Sequence, residues 1–101
     1  MREFQRGAVR LHILHQAARR EVDGACITDE LGRRGYRISP GTLYPTLHRM
    51  EAEGLLRSQQ RVVGGRSRRM YSATQEGRNA LSEDRKALAE LAREVLGSDD
   101  T

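Results

Sequence analysis

Along residues 4–19 the apolar positions recur at helical spacing. Phe4, Ala8, Leu11 and Leu14 form a stripe that Val9 and Ile13 widen, with polar and charged residues between them, and this predicts an amphipathic helix. Asp23 and Gly24 interrupt the pattern, and Asp23 is suited to cap a second, shorter helix running to about Arg34. Cys26, Ile27 and Leu31 are its apolar residues, and Gly35 can close it in the left-handed conformation that glycine tolerates. A third helix opens at Ser39, a favourable N-cap, with Pro40 at the first helical position where its missing N–H costs nothing. It stops at Gly54. Leu43, Leu47 and Met50 fall at i, i+4 and i+7 and give it a face to bury. Tyr44, His48 and Glu51 lie to one side of that stripe, and Thr42, Arg49 and Glu53 also fall outside it.

From Leu55 the period shortens. "LLRSQQRVV", "GGRS" and "RRMYSAT" predict two extended segments joined through Gly64 and Gly65 as a hairpin, with a turn of two residues or longer. Thr74 can cap a last helix in which Leu81, Leu88 and Val95 stand seven apart with Leu91 between them. At about 22 residues it would be roughly 33 Å long. That is long for so small a chain, and only the first helix is at hand to cover its apolar seam. The predicted fold is mainly α with a small β-hairpin. Helix, helix, helix, hairpin is the order of a winged helix-turn-helix, here with residues 24–54 as the helix-turn-helix and 55–74 as the wing. The expected division is 1–74 for the winged helix-turn-helix, 75–97 for the last helix and 98–101, within "GSDDT", as a frayed tail.

A length of 101 residues bounds the core to a small one that a dimer would extend. Tryptophan is absent and Phe4 is the lone phenylalanine, so aromatic platforms for single-stranded bases are scarce. "MREFQRGAVR" has no signal-peptide apolar run, and no later stretch approaches a membrane span. A cytoplasmic protein without a membrane partner is expected. The single cysteine, Cys26, rules out an intramolecular disulfide and a Cys-only zinc site within one chain.

The net charge of +4 is unevenly spread: residues 1–32 sum to zero, 33–73 to +7 and 74–101 to −3. A basic middle between neutral and acidic ends suits a polyanion met by one part of the fold. In a winged helix that part is the third helix, whose N-terminal residues face base edges in the major groove. Pro45 removes the N–H that would bond the carbonyl of Gly41, which loosens the first turn or kinks the helix. Ser39, Gly41 and Thr42 then lie close to DNA, with the N–H groups of Gly41 and Thr42 free for phosphate. Arg66, Arg68 and Arg69 crowd the hairpin turn, where they can reach phosphates or the minor groove. A tolerated kink and a solvated tip are the plainer alternatives.

"SPGTLYPTLHRMEAEGLL" followed by "GGRSRRMYSATQEGR" resembles the PadR-like family of bacterial transcriptional regulators over residues 4 to about 81. The resemblance implies a homodimeric repressor of double-stranded DNA whose C-terminal helix makes the dimer contacts, in the form of the short members that carry one such helix. Phe4, Leu11, Leu81, Leu88, Leu91 and Val95 are the expected dimer residues. Ser39, Gly41, Thr42, Tyr44 and Pro45 match the recognition-helix motif, with His48 and Arg49 following on the same helix; Gly64, Gly65 and Arg66 match the wing. Tyr44 either touches DNA or packs its ring on the core. Two departures stand out. The second helix opens with "DGACI" in place of His-Gly and an aromatic, and the last helix has no tryptophan to build an aromatic drug pocket.

Release of such a repressor by a small ligand or stress signal is expected, with no required cofactor. His12 and His15, three apart on the first helix, are the candidate ligands for a divalent transition metal. A metal-responsive repressor and an architectural DNA binder without effector are thus the alternatives. Catalysis is set aside, because Cys26 is expected on an apolar stripe where burial makes a thiol inert.

Overall fold

The chain runs α1 (Glu3–Arg19), α2 (Gly24–Arg33), α3 (Pro40–Ala52), β1 (Leu56–Val63), β2 (Arg66–Ala73) and α4 (Gln75–Val95) in a computed structural model that describes residues 1–97. The tail expected at 98–101 lies outside the described residues. The core is built from one face of each helix and the base of the hairpin. Ile13, Ile27, Leu31, Leu47 and Met50 are fully enclosed, with Leu56, Tyr71 and Val22 closing the wing side.

Helix α1 buries Val9, Ile13, Leu14 and Ala17, a stripe rotated from the one expected through Phe4 and Leu11. Phe4 is 69% exposed and Leu11 is half-buried at the flank. Two apolar stripes overlap on this helix, which packs against α2, β2 and α4, and the stripe with the β-branched residues is the one buried. Cys26 corrects a second expectation, because it is exposed. Ile27 and Leu31, four apart, form the inward face of α2, and a residue one step earlier points about 100° away.

Local capping chemistry sets the helix ends. The Asp23 carboxylate accepts the N–H of Cys26 at 2.9 Å. Gly35, at φ +91°, closes α2 with the N–H of Tyr36 donating to the Leu31 carbonyl at 2.8 Å and that of Gly35 to the Gly32 carbonyl at 3.1 Å. Gly54, at φ +83°, closes α3 in the same pattern, onto Met50 and Glu51. Both ends are Schellman motifs. Ser39 stands at the N-cap of α3 without a side-chain cap bond among the described residues. Its carbonyl instead accepts the N–H groups of Thr42 and Leu43 at 3.0 and 2.8 Å, so the Thr42 N–H is engaged and not free as expected.

The hairpin pairs in register from Leu56 opposite Ala73 to Val63 opposite Arg66. Its turn is Gly64 and Gly65 alone, at φ +58° and +79°, the two positive angles of the turn that matches strand twist. A third extended piece joins it: Val22 donates to the Tyr71 carbonyl at 3.0 Å and accepts from the Tyr71 N–H at 2.7 Å.

Thr74 caps α4 as expected, its hydroxyl accepting the Gly77 N–H at 2.9 Å and donating to the Gly54 carbonyl. After Leu81 the helix leaves the core, with Leu88, Leu91 and Val95 all exposed. The described chain measures 56 × 28 × 22 Å, longer in one direction than a core of this size requires.

Candidate nucleic-acid interface

Helix α3 is divided cleanly between two environments. Leu43, Thr46, Leu47 and Met50 are buried, while Gly41, Thr42, Tyr44, Pro45, His48 and Arg49 are exposed. Helical spacing gathers those six on one face. The helix runs through Pro45 without a break, and the Thr46 hydroxyl donates to the Thr42 carbonyl at 2.8 Å. The proline therefore leaves the Gly41 carbonyl without its helical partner at the outer surface. Tyr44 combines both expected behaviours: it is 43% exposed, yet its phenol end lies on Gly24, where an added Cβ would come within 2.9 Å of the ring carbon Cζ.

The hairpin arginines differ from one another more than their spacing suggests. Arg66 is exposed beside the turn and has no hydrogen-bond or ion-pair partner among the described residues. Arg69 donates to the Ser58 hydroxyl at 3.0 Å, and that hydroxyl donates to the Glu51 carboxylate at 2.8 Å, so this arginine leans back toward the end of α3. Arg68, expected at the DNA surface, instead donates to the Asp23 carboxylate at 2.7 Å. The reason is long-range: strand pairing with Val22 brings an acid 45 residues away alongside it. Gly64 and Gly65 act through the turn itself. Arg61 was not singled out by sequence; it donates from Nε and Nη2 to Glu21 at 2.7 and 2.8 Å. The acid–apolar–acid alternation of Glu21, Val22 and Asp23, a strand period, was the signal available for it.

Asp23 is held below the usual carboxylate range, chiefly by the Cys26 N–H and also by Arg68. At Cys26 partial desolvation and then the Asp23 carboxylate push the thiol up, so the expected direction holds although the residue is exposed and the Asp23 carboxylate adds a cause the sequence did not show.

His12 and His15 line a cleft of about 350 Å³ with Arg19, Arg20, Arg34 and Glu30. His12 meets the Tyr36 ring edge-on at 5.5 Å between centroids. Burial, then Arg34 and His15, hold its imidazole below the ordinary value. Among the described residues no group of three or more His, Cys, Asp or Glu side chains is gathered for a metal. The cleft's three arginines oppose a cation, so the metal expectation at His12 and His15 finds no support. Adjoining this cleft, Ala8, Leu11, Leu81 and Leu88 form the apolar part of an open groove between α1 and α4 that His12, His15 and Arg85 also line. Among the described residues no helix is long and apolar enough to cross a membrane.

The family described as transcriptional regulator PadR-like matches residues 13–83. The chain belongs to the PadR-like family of transcriptional regulators. The PadR-like match takes in α2, α3, the whole hairpin and the start of α4, whereas Phe4, Leu88, Leu91 and Val95 fall outside it. The chain is 74% identical to transcriptional regulator Rv3488 of Mycobacterium tuberculosis, over 96% of this chain and 91% of that protein. The crystal structure of a Streptococcus transcriptional regulator is similar with a TM-score of 0.88 at 23% identity, over 96% of this chain and 97% of the other. Bacillus subtilis PadR in complex with operator DNA is similar with a TM-score of 0.66 at 21% identity, over 75% of this chain and 45% of that one. Both structural likenesses concern the fold. PadR-like proteins are regulators of transcription and not enzymes.

Proposed function

We propose that the chain is a homodimeric repressor that occupies a pseudo-palindromic promoter site and is released by a small ligand or stress signal. The observation that carries the DNA half is the exposed face of α3, from Gly41 and Thr42 through Tyr44 and Pro45 to His48 and Arg49, together with Arg66 at the wing tip, unpartnered among the described residues. In this reading α3 lies in the major groove, Thr42 and Arg49 meet base edges or nearby phosphates, and the wing tip meets phosphate through Arg66 and Arg69. The Bacillus subtilis relative solved on operator DNA lends the reading support. The dimer half rests on the apolar groove of α1 and α4 and on the exposed Leu88, Leu91 and Val95, a seam that a second copy would bury. Two copies place two recognition helices about 34 Å apart on one face of the duplex. A cytoplasmic location suits the role.

Binding of the purified chain to its upstream promoter and to a scrambled duplex at physiological salt tests the proposal. A large specific-to-nonspecific ratio, with protection of two symmetric half-sites, is the expected result. Thr42→Ala should alter sequence preference more than salt dependence. Weak binding that ignores sequence would replace the repressor by an architectural binder, and a single asymmetric half-site would remove the dimer from the account.

A further inference from the structure

The hairpin register sets Arg61 directly opposite Arg68, a like-charge cross-strand pair that an isolated hairpin would resist. Each guanidinium is met by a carboxylate from the connection between α1 and α2. Glu21 accepts from Arg61, and from Gln59 at 3.0 Å, while Asp23 accepts from Arg68. Between the two acids, buried Val22 exchanges both backbone hydrogen bonds with Tyr71. Residues i and i+2 of an extended segment share a face, so the acids fall on one side of this segment and Val22 on the other. Asp23 is nearly withdrawn from water, its side chain 12% exposed. One of its oxygens holds the wing through Arg68 and the other starts α2 through the Cys26 N–H. A single carboxylate thus ties the wing to the start of the helix-turn-helix, with Glu21 as an outer brace, while Ser58 and Glu51 tie it to the end of α3.

We infer that Glu21, Val22 and Asp23 clamp the wing to the helix-turn-helix, and that Arg61 and Arg68 are positioning residues that fix where the wing tip stands, leaving phosphate contact to Arg66 and Arg69. The functional half of this rests on the duplex-DNA reading above; the mechanical half does not. A competing arrangement makes the opposite prediction. If the carboxylates only held the two arginines until phosphate replaced them, removing a carboxylate would strengthen DNA binding.

The test uses the full chain with Arg61→Gln, Arg68→Gln, Glu21→Gln, Asp23→Asn and the Asp23→Asn/Arg68→Gln pair. Asparagine keeps an oxygen for the Cys26 N–H, so the helix cap survives. Affinity is measured against salt on a random-sequence duplex and on a duplex that the wild type selects from a random pool. Amide exchange of the hairpin is followed without DNA. Each single variant should lower the selected-to-random ratio about fivefold, and the pair should lose no more than either single. The salt slope should stay at the wild-type value in all of them, while Arg66→Gln should reduce it by about 0.9. Hairpin amides should exchange faster in Asp23→Asn and Glu21→Gln and not in Arg66→Gln. Tighter binding by Asp23→Asn, a slope lowered by about 0.9 in Arg68→Gln, or unchanged hairpin exchange would each overturn the clamp. A wild-type protein that selects no duplex would instead defeat the DNA reading, and the exchange arm would still decide the clamp.

Discussion

Gly77→Ala is a perturbation whose sign, as well as size, follows from the geometry. Gly77 is the third residue of α4, and alanine at an ordinary helical glycine stabilises by roughly 0.5–1 kcal/mol. Here a Cβ would be driven onto the carbonyl oxygen of Leu55, would stand 3.1 Å from its carbon, and would touch Leu14 Cδ2 at 3.4 Å. The carbonyl cannot swing away freely, because it accepts the Thr74 N–H at 3.1 Å. Relief therefore requires backbone movement at the start of α4. Overpacking of this kind costs roughly 1–3 kcal/mol, and a weakened Leu55–Thr74 hydrogen bond adds about 1 kcal/mol. Less the helical gain, the net expectation is a loss of about 1–3.5 kcal/mol, or a fall of about 4–28 °C in Tm for a chain of this size. Thermal and urea unfolding at one fixed protein concentration measure it, since association would otherwise shift the midpoint. Gly32→Ala is the control: nothing lies within 4 Å of its added methyl, and a gain of about 0.5–1 kcal/mol is expected. A Gly77→Ala protein melting at or above the wild type would refute the close approach.

Leu91→Glu should leave the fold intact, because the residue is exposed in the single chain, yet convert the proposed dimer to monomer; sedimentation of both proteins over a concentration series checks it, and a variant mass equal to that of a dimeric wild type would exclude Leu91 from the interface. His12 gives a pH dependence. Burial, Arg34 and His15 lower its pKa against the opposing Glu30, so the folded state favours the neutral ring. Its stabilisation is complete above the ordinary 6.5 and is lost as pH falls below that toward the lowered folded value. The wild-type urea midpoint should decline over that interval more steeply than that of His12→Gln. Gly24→Ala should push the Tyr44 ring outward while changing stability by no more than about 1 kcal/mol, with a measurable loss of affinity for the selected duplex; unchanged affinity would separate Tyr44 placement from DNA binding.

Much of this architecture was legible because its chemistry is local. Asp23, Gly35, Gly54 and Thr74 mark helix ends through groups within a few residues, and Gly64–Gly65 specifies its turn through backbone angles alone. The alternation of Leu43, Leu47 and Met50 with Thr42, Tyr44, His48 and Arg49 likewise separates the two faces of α3. What could not be read depends on distant partners. Either of two overlapping stripes on α1 satisfies helical periodicity, and only packing against α2, β2 and α4 selects Val9 and Ile13 over Phe4 and Leu11. Arg66 and Arg68 look equivalent along the chain, until strand pairing brings Asp23 to one of them. Ser39 has the right side chain for a cap, but its hydroxyl faces Thr42 Oγ1 at 3.4 Å and the backbone carbonyl does the capping. Close approach at Gly24 and Gly77 is invisible in one dimension, since the atoms that would collide come from α3 and from the residue before β1.

The joint at Gly54, Leu55, Thr74 and Gly77 also has a mechanical meaning. Helix α4 is 21 residues long and anchored at one end, which makes it a lever of about 32 Å pivoting on a few hydrogen bonds. A rotation of about 5° at such a pivot sweeps the far end through about 3 Å, comparable to the rise per base pair along a DNA strand. If the far ends are where two copies meet, a small tilt at each pivot would change how far apart the two reading heads sit. An effector that alters the operator spacing would then need to touch only the pivot, at the other end of α4 from Leu91 and Val95.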